Sequence, residues 1–221
     1  MKASLLKNKK RIIFIAAVLV LLLGVGGVSA YFTSTDNATN QWTVGDVTIE
    51  LLEEEYDKVP ETERQNITPN KVFIKDPVVK NVGTNDAFVF LRFSVPKANV
   101  RIASQDGSAQ ASQVQELFDY TINEGWTKVT EDTSAADQNT YVYSYGTEAE
   151  CKALAAEAST PSLFKDNQIT FLNVMEGQGL EGTTLEIPVE SFGIQTTDLG
   201  ADDKTAPADV WKILIHQVDT K

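Results

Sequence analysis

The chain has 221 residues, of which 42% are hydrophobic, and its formal net charge is −12 at pH 7. This hydrophobic content excludes a disordered chain. The acidic balance excludes nucleic acid and anionic membrane surfaces as partners, because both repel a negative protein. Cys151 is the single cysteine, so no intramolecular disulfide holds the fold together, and the core must do so alone.

The first 30 residues have the pattern of a secretory signal peptide. A basic head without acidic residues precedes the apolar run 12–23, and the small residues Val28 and Ala30 occupy positions −3 and −1 of a cleavage site. An uncleaved anchor is the alternative, but about 17 apolar residues diluted by glycine are at the short end of the spanning range. We expect cleavage after Ala30, which leaves 14 basic and 31 acidic residues and a charge of −17.

The remainder of the chain contains many short segments with apolar residues at every second position, which is the pattern of β-strands. Residues 42–52 alternate on both sides of Gly45, where we predict a bulge or bend. The turn formers at 81–86 predict a hairpin or a corner, and Pro188 predicts an edge or a bulge. Further strands are predicted at residues 87–95, 125–130, 140–146, 162–174, 183–199 and 210–218.

Two segments have helical signals. Val114, Leu117 and Phe118 have the i, i+3, i+4 spacing of a short amphipathic helix, and residues 148–158 predict a second. Within the second we expect Cys151 to face the core, with a reactive or intermolecular thiol as the alternative. Because short strands and turn clusters predominate, we predict an all-β sandwich with one or two short helical insertions, forming a single domain over residues 31–221.

The titratable residues form no recognisable catalytic motif. His216 is the only histidine, and we expect it to face solvent on a strand, so a histidine-based zinc motif is impossible. Carboxylates are abundant enough to leave a paired-acid hydrolase open. Asp198, Asp202 and Asp203 are weak candidates for a Ca²⁺ site, since their spacing departs from that of an EF-hand loop. We therefore predict no catalytic residue and no cofactor.

The junction between the leader and the chain that follows it contains small, aromatic and polar residues. They are Ala30, Tyr31, Phe32, Thr33, Asn40, Thr43 and Gly45. This stretch resembles the leader junction of the TasA/camelysin family of secreted bacterial proteins, whose leaders are removed by a SipW-type signal peptidase. In that family the cut falls before the aromatic pair, which here implies cleavage between Ala30 and Tyr31.

Two later blocks look like the same family. Residues 80–83 and 86–89, with Arg92, are similar to its K-N-x-G and D-A-F-V strand pair. Residues 187–195, with Trp211 downstream, are similar to its closing strands. The middle of the chain, about residues 97–165, carries no such likeness.

The resemblance implies a jelly-roll-like antiparallel β-sandwich and, for the best-known members, an extracellular matrix fibre. In those fibres the N-terminal segment of one subunit completes a sheet of the next by strand addition, and the head-to-tail contact propagates because it does not close. The alternative is that the same segment is the first strand of its own sandwich. The candidate assembly strand comprises Tyr31, Phe32, Trp42, Val44, Gly45, Val47 and Ile49.

The leading expectation is a secreted, non-enzymatic structural protein of a Gram-positive bacterial surface or biofilm matrix. Its expected partners are the signal peptidase during export and afterwards further copies of itself or a related matrix protein. Membrane contact is expected only through an uncleaved leader. Two alternatives are a monomeric cell-surface binding module and a secreted hydrolase. The protease activity described for camelysin-type members is not carried over, because this chain has one histidine and no zinc motif.

Overall fold

Antiparallel β-sheet dominates the computed structural model of the protein, which describes residues 46–65, 67–104, 106–200 and 204–219. The chain divides into two compact units, Met1–Val44 and Gly45–Lys221, and every described residue lies in the second. The strands are β1 (Ile49–Leu52), β2 (Val72–Ile74), β3 (Val78–Asn81), β4 (Ala87–Val100), β5 (Gln113–Glu116), β6 (Phe118–Ile122), β7 (Trp126–Asp132), β8 (Gln138–Tyr145), β9 (Phe164–Phe171) and β10 (Val189–Gln195). The helices are α1 (Glu54–Lys58) and α2 (Pro207–Asp219), with a 3₁₀ turn at Glu61–Glu63.

The strands form three sheets, all with antiparallel pairing. The largest has the order β10–β4–β8–β7, and β5 pairs with the last four residues of β4. β1 and β3 form a two-stranded sheet, and the order β2–β9–β6 forms a three-stranded one. The predicted fold class, an all-β sandwich, is thereby confirmed.

Both faces of β4 are buried, which explains why its sequence is almost continuously apolar. Val89, Leu91 and Phe93 belong to the main core cluster, which is shared with the other sheets. Phe88 and Phe90 point the opposite way, into a second cluster that α2 covers with apolar side chains including Val210 and Leu214. Each such buried side chain contributes about 2 kcal/mol of hydrophobic stabilisation, so β4 is the centre of the fold.

The prediction of a strand at residues 210–218 is wrong, because this segment forms most of α2. Its buried residues Val210 and Leu214 are four apart, which places both on one side of a helix. Pro207 occupies the first helical position and Asp209 lies in the first turn, both of which favour a helix start. His216 is therefore exposed on a helix, not on a strand.

Neither of the two segments predicted to be helical forms a helix. The apolar triplet at 114–118 lies on β5 and β6, where Val114 is 62% exposed while Phe118 is buried. Residues 148–158 form no helix but run beside the edges of other strands, where the N–H of Leu154 donates to the carbonyl of Ala87 and the reverse bond is also made. In both places tertiary pairing has overridden local helix propensity.

Several other predictions are confirmed. Residues 125–130 and 140–146 pair with each other as β7 and β8, and the segment 162–174 contains β9. The segment 183–199 contains β10, which begins directly after Pro188 and lies at the edge of its sheet. The turn formers at 81–86 make a corner, since β3 pairs with β1 and β4 pairs in a different sheet.

Candidate functional site

The candidate assembly strand is only partly described by the structure. Tyr31, Phe32, Trp42, Val44 and Gly45 lie outside the described residues, as does the predicted cleavage site between Ala30 and Tyr31. Val47 and Ile49 are described, and they show where this segment enters the domain.

Residues 47–52 are part of the domain of their own chain. Val47, Ile49 and Leu51 all pack against the main core cluster, and β1 pairs with β3 through Leu51 opposite Val79. Gly193 on β10 leaves room for this packing, since a Cβ there would lie 3.0 Å from a methyl group of Ile49. Residues 47–52 are therefore held within their own subunit.

The corner between β3 and β4 fixes the start of this segment. The backbone N–H groups of residues 82–85 donate to two carbonyl oxygens, that of Thr48 at 2.9 Å and that of Asp46 at 3.2 Å, each accepting two bonds. A Cβ at Gly83 would lie 2.6 Å from the nitrogen of Thr48 and 2.7 Å from the oxygen of Asp46. Only glycine allows the two backbones to approach so closely.

The side chain of Asp46 closes the same contact. It accepts hydrogen bonds from the hydroxyls of Thr48 at 2.7 Å and Thr84 at 3.1 Å, while its own backbone N–H donates to the Thr84 hydroxyl at 3.1 Å. These bonds stabilise the ionised carboxylate, so the pKa of Asp46 lies below its usual value. The described chain thus begins at a point with a fixed position and direction.

The fully buried side-chain amide of Asn81 also stabilises the corner. The Asn81 Nδ2 group donates to the carbonyls of Asn85 and Leu154, both at 2.9 Å. Its Oδ1 accepts the backbone N–H of Gly83 at 3.0 Å. Because every polar atom of this side chain is used where no water reaches, its loss would remove three hydrogen bonds from the corner.

The two later blocks that resemble the TasA/camelysin family lie side by side. β10 pairs with β4 so that Ala87 is opposite Gln195 and Arg92 is opposite Glu190. The Arg92 Nε group donates to the Glu190 carboxylate at 2.6 Å. Trp211 packs on Phe90 at a ring-centroid distance of 5.4 Å, which joins α2 to the same region. Residues far apart in the sequence therefore form one structural unit.

The described residues contain no group of three or more His, Cys, Asp or Glu side chains that could share a metal ion. Asp198 is an exposed loop residue, while Asp202 and Asp203 lie outside the described ranges, so the weak Ca²⁺ prediction stays a prediction. In the part of the chain that the structure describes, no helix has the length and apolar character needed to cross a bilayer.

A carboxylate beside two tyrosines lies where β5, β6 and β8 meet. Glu116 accepts hydrogen bonds from the Tyr141 hydroxyl at 2.5 Å, the Tyr120 hydroxyl at 3.3 Å and the Asn139 amide at 2.8 Å. Burial, together with the bond to Glu116 and its negative charge, raises the pKa of Tyr141 to about 12. The pKa of Tyr120 is raised for the same reasons. These groups bind one another, which favours a structural role.

Cys151 is buried, as expected from the sequence, although the predicted helix around it is absent. Burial is the main reason that its pKa is raised to about 12, and the negative charge of Glu150 adds to the effect. The thiol therefore stays protonated near neutral pH, and a protonated buried thiol is a poor nucleophile.

An open cleft of about 670 Å³ lies where the end of β8 meets the start of β7. Gly125 and Gly146 form part of its wall, and the charged side chains of Glu124, Glu150 and Lys152 line it. The Lys152 ammonium lies 5.1 Å from the centre of the Tyr145 ring. Sequence reasoning missed this cleft, because it placed residues 148–158 in a helix. The glycines at 125 and 146, which flank the β7–β8 pair, were the available signal.

Comparisons of the chain with protein-family models, curated proteins and solved structures found no match in any of the three. The resemblance to the TasA/camelysin family accordingly stays a prediction that depends on the motifs described above.

Proposed function

We propose that this protein is a secreted, non-enzymatic structural protein of a bacterial surface or extracellular matrix. It assembles when the N-terminal segment of one subunit adds as a strand to the next. Residues 46–52 belong to their own domain, so the segment that reaches the neighbour is confined to residues 31–45.

The observation that carries this proposal is the fixed entry of the chain at the β3–β4 corner. Asp46 and Thr48 are bound there through backbone hydrogen bonds and a close approach to Gly83. Fifteen residues precede this point in the mature chain, and an extended segment of that length spans up to about 50 Å. Such a reach exceeds the radius of a domain of this size, so the segment can contact a neighbouring subunit.

The charge and chemistry of the chain also favour a structural role. The mature chain carries a formal charge of −17, which keeps isolated subunits apart at neutral pH and permits closer approach as the carboxylates become protonated. Three polar clusters of the described domain, at Asp46, Asn81 and Glu116, are bound within the protein. None of them includes an activated nucleophile beside a base.

The test is electron microscopy and light scattering of purified residues 31–221 across concentration and pH. We expect filaments that form more readily as the pH falls toward the carboxylate range. Residues 45–221, which retain the compact unit, should form no filaments under the same conditions. Adding a synthetic peptide of residues 31–45 to the shorter protein should produce a one-to-one complex and no filaments.

Two results would contradict the proposal. One is filament formation by residues 45–221 to the same extent as by residues 31–221. The other is a folded 31–221 protein that remains monomeric at every concentration and pH at which it is soluble.

The cleft beside Cys151 favours one second candidate, a monomeric surface binding module. Its volume of about 670 Å³ is within the range of small-ligand sites, and its carboxylates and ammonium group suit a polar ligand such as a carbohydrate. Binding of cell-wall polysaccharide by the monomer, reduced by Lys152→Ala and Glu124→Ala, would favour this function over assembly.

A further inference from the structure

The outer edges of the sheets differ in how they are protected against pairing with another chain. Natural edge strands carry charges, prolines or bulges, because an unpaired backbone edge otherwise binds further strands. Six edge strands of the described domain follow this rule. They are β1 with Glu50, β2 between Lys71 and Lys75, β3 with Lys80, β6 with Asp119 and a register shift, β7 with Lys128 and a register shift, and β10, which begins directly after Pro188 and contains Glu190.

The β5 strand is the exception. It pairs with β4 only, and none of its backbone groups bonds to any other described strand. Its one charged residue is Glu116, whose carboxylate is bound to Tyr120, Asn139 and Tyr141, and residues 107–115 contain no charged residue and no proline. Residues 106–114 are all exposed, and Val114 is the most exposed large hydrophobic residue described, at 62%.

The sequence of β5 is complementary to itself. In an antiparallel pair of two copies centred on Val114, the two Val114 side chains face each other across the two-fold axis. Gln113 then lies opposite the partner's Gln115, an arrangement that suits amide hydrogen bonds; within one chain the same two amides already bond at 3.1 Å. Glu116 lies opposite the partner's Ser112, so no carboxylate faces another. Opposed like charges would be destabilising.

We infer that β5 is a self-association edge, at which two copies of this chain join their β4–β5 ladders in antiparallel register about Val114. The contact is isologous, with the same residues on both subunits. It is separate from the N-terminal strand addition proposed above and does not rest on it. Because only a short strand and its flanks take part, the interface is small, and we expect a dissociation constant of about 0.1–1 mM.

Cross-linking of residues 45–221 tests the register directly. In a V114C dimer of this register, the Cα atoms of the two new cysteines would be about 4.5–5.5 Å apart, as opposite residues of antiparallel strands are. This distance is within the roughly 4.4–6.8 Å range that a disulfide requires. We expect about tenfold more disulfide-linked dimer under mild oxidation than for V72C. Val72 is a matched control because it is half-exposed on the edge strand β2. The native Cys151 is buried in both variants.

Charge substitution tests the same contact without a covalent bond. Sedimentation equilibrium should show V114K as monomeric and V114E as monomeric, because each places two like charges at the two-fold axis. An equimolar mixture of V114K and V114E should dimerise again, and V72K should behave as the unsubstituted protein does. Circular dichroism checks that every variant is folded.

Two outcomes would overturn the inference. The first is a monomer up to about 1 mM whose V114C variant cross-links no faster than V72C. The second is V114K-sensitive association in residues 31–221 but not in residues 45–221, which would assign the edge to the N-terminal segment of another subunit. Failure of residues 31–221 to form filaments leaves these measurements unaffected, because they use the shorter protein.

Discussion

Strands β1 and β5 are alike in length and pairing, yet the domain holds them very differently. Each has four residues and one strand partner. The side chains of Val47, Ile49 and Leu51 around β1 pack against the main core, whereas Val114 at the middle of β5 is exposed. Pairing alone does not decide whether an edge strand is committed to its own fold. Side-chain burial and the contacts at its ends do so.

The largest expected effect is at the corner that holds the start of β1. Gly83→Ala places a Cβ within 2.7 Å of two backbone atoms, so the corner and residues 46–48 must separate. We expect a loss of about 3–4 kcal/mol in the free energy of unfolding, measured by urea denaturation. Val82→Ala is the control, at a residue 38% exposed, and should change stability by less than about 1 kcal/mol. Equal effects of the two substitutions would contradict the close approach of Gly83 to Asp46 and Thr48.

Removal of the buried corner amide should have the next largest effect. Asn81→Ala leaves the carbonyls of Asn85 and Leu154 and the N–H of Gly83 without this partner. We expect a loss of about 3 kcal/mol. Asn81→Asp keeps the size of the side chain but loses the donor, so it should not restore stability. Hydrogen exchange at Thr84 and Asn85 should accelerate in both variants, and unchanged protection there would count against this role.

A matched pair of truncations compares the two strands directly. Ile49→Ala removes core contacts of β1 and should cost about 2 kcal/mol. Val114→Ala on β5 should cost less than about 0.5 kcal/mol when measured on dilute monomer, because the side chain is exposed. If the order of these two values were reversed, the contrast drawn between β1 and β5 would be wrong.

The contact between Glu116, at the end of β5, and Tyr141 should have a smaller effect on stability, and this effect depends on pH. Burial and the interaction with Glu116 raise the pKa of Tyr141 from 10.0 to about 12. A raised pKa means that the folded state holds the proton more tightly, so this stabilisation is complete below pH 10 and is lost as the pH rises from 10 toward 12. Above about pH 10, the urea concentration at the midpoint of unfolding should fall less steeply with pH in the Tyr141→Phe variant than in the unsubstituted protein. Parallel curves would contradict the assigned contact.

The smallest perturbation is chemical labelling of Cys151, which reports on the fold without changing it. With a pKa of about 12 and a buried side chain, the thiol should react with iodoacetamide at pH 8 at least about 100-fold more slowly than in denatured protein. Rapid labelling of the folded protein would contradict the burial of Cys151. It would also mean that Cys151 can form disulfides of its own in the V114C experiment.

The sequence allowed the strands to be predicted where burial alternates or is continuous, as in residues 87–95 and 140–146. It failed at α2, where Trp211, Ile213 and Ile215 alternate as in a strand while Val210 and Leu214 carry the helical face. Pro207 and Asp209 at the start of the segment were the better signal.

The site could be predicted less well than the fold. The special role of Gly83 depends on the backbone of residues 46–48, which are more than 30 positions away, and no local pattern reports such an approach. The exposed edge of β5 was hidden for a similar reason. Val114, Leu117 and Phe118 have helical spacing, but pairing with β4 and packing of Phe118 decide their conformation.

The central position of β4 also has a consequence for the order in which the fold can form. Ser94 on β4 contacts Thr140 on β8 across 46 residues of sequence, and Arg92 contacts Glu190 on β10 across 98. Contacts between such distant residues make folding slow, because long loops must close before the contacts are gained. Until the last third of the chain has been synthesised, the edge of β4 that pairs with β10 stays unpaired. The unfinished polypeptide is then most exposed to aggregation.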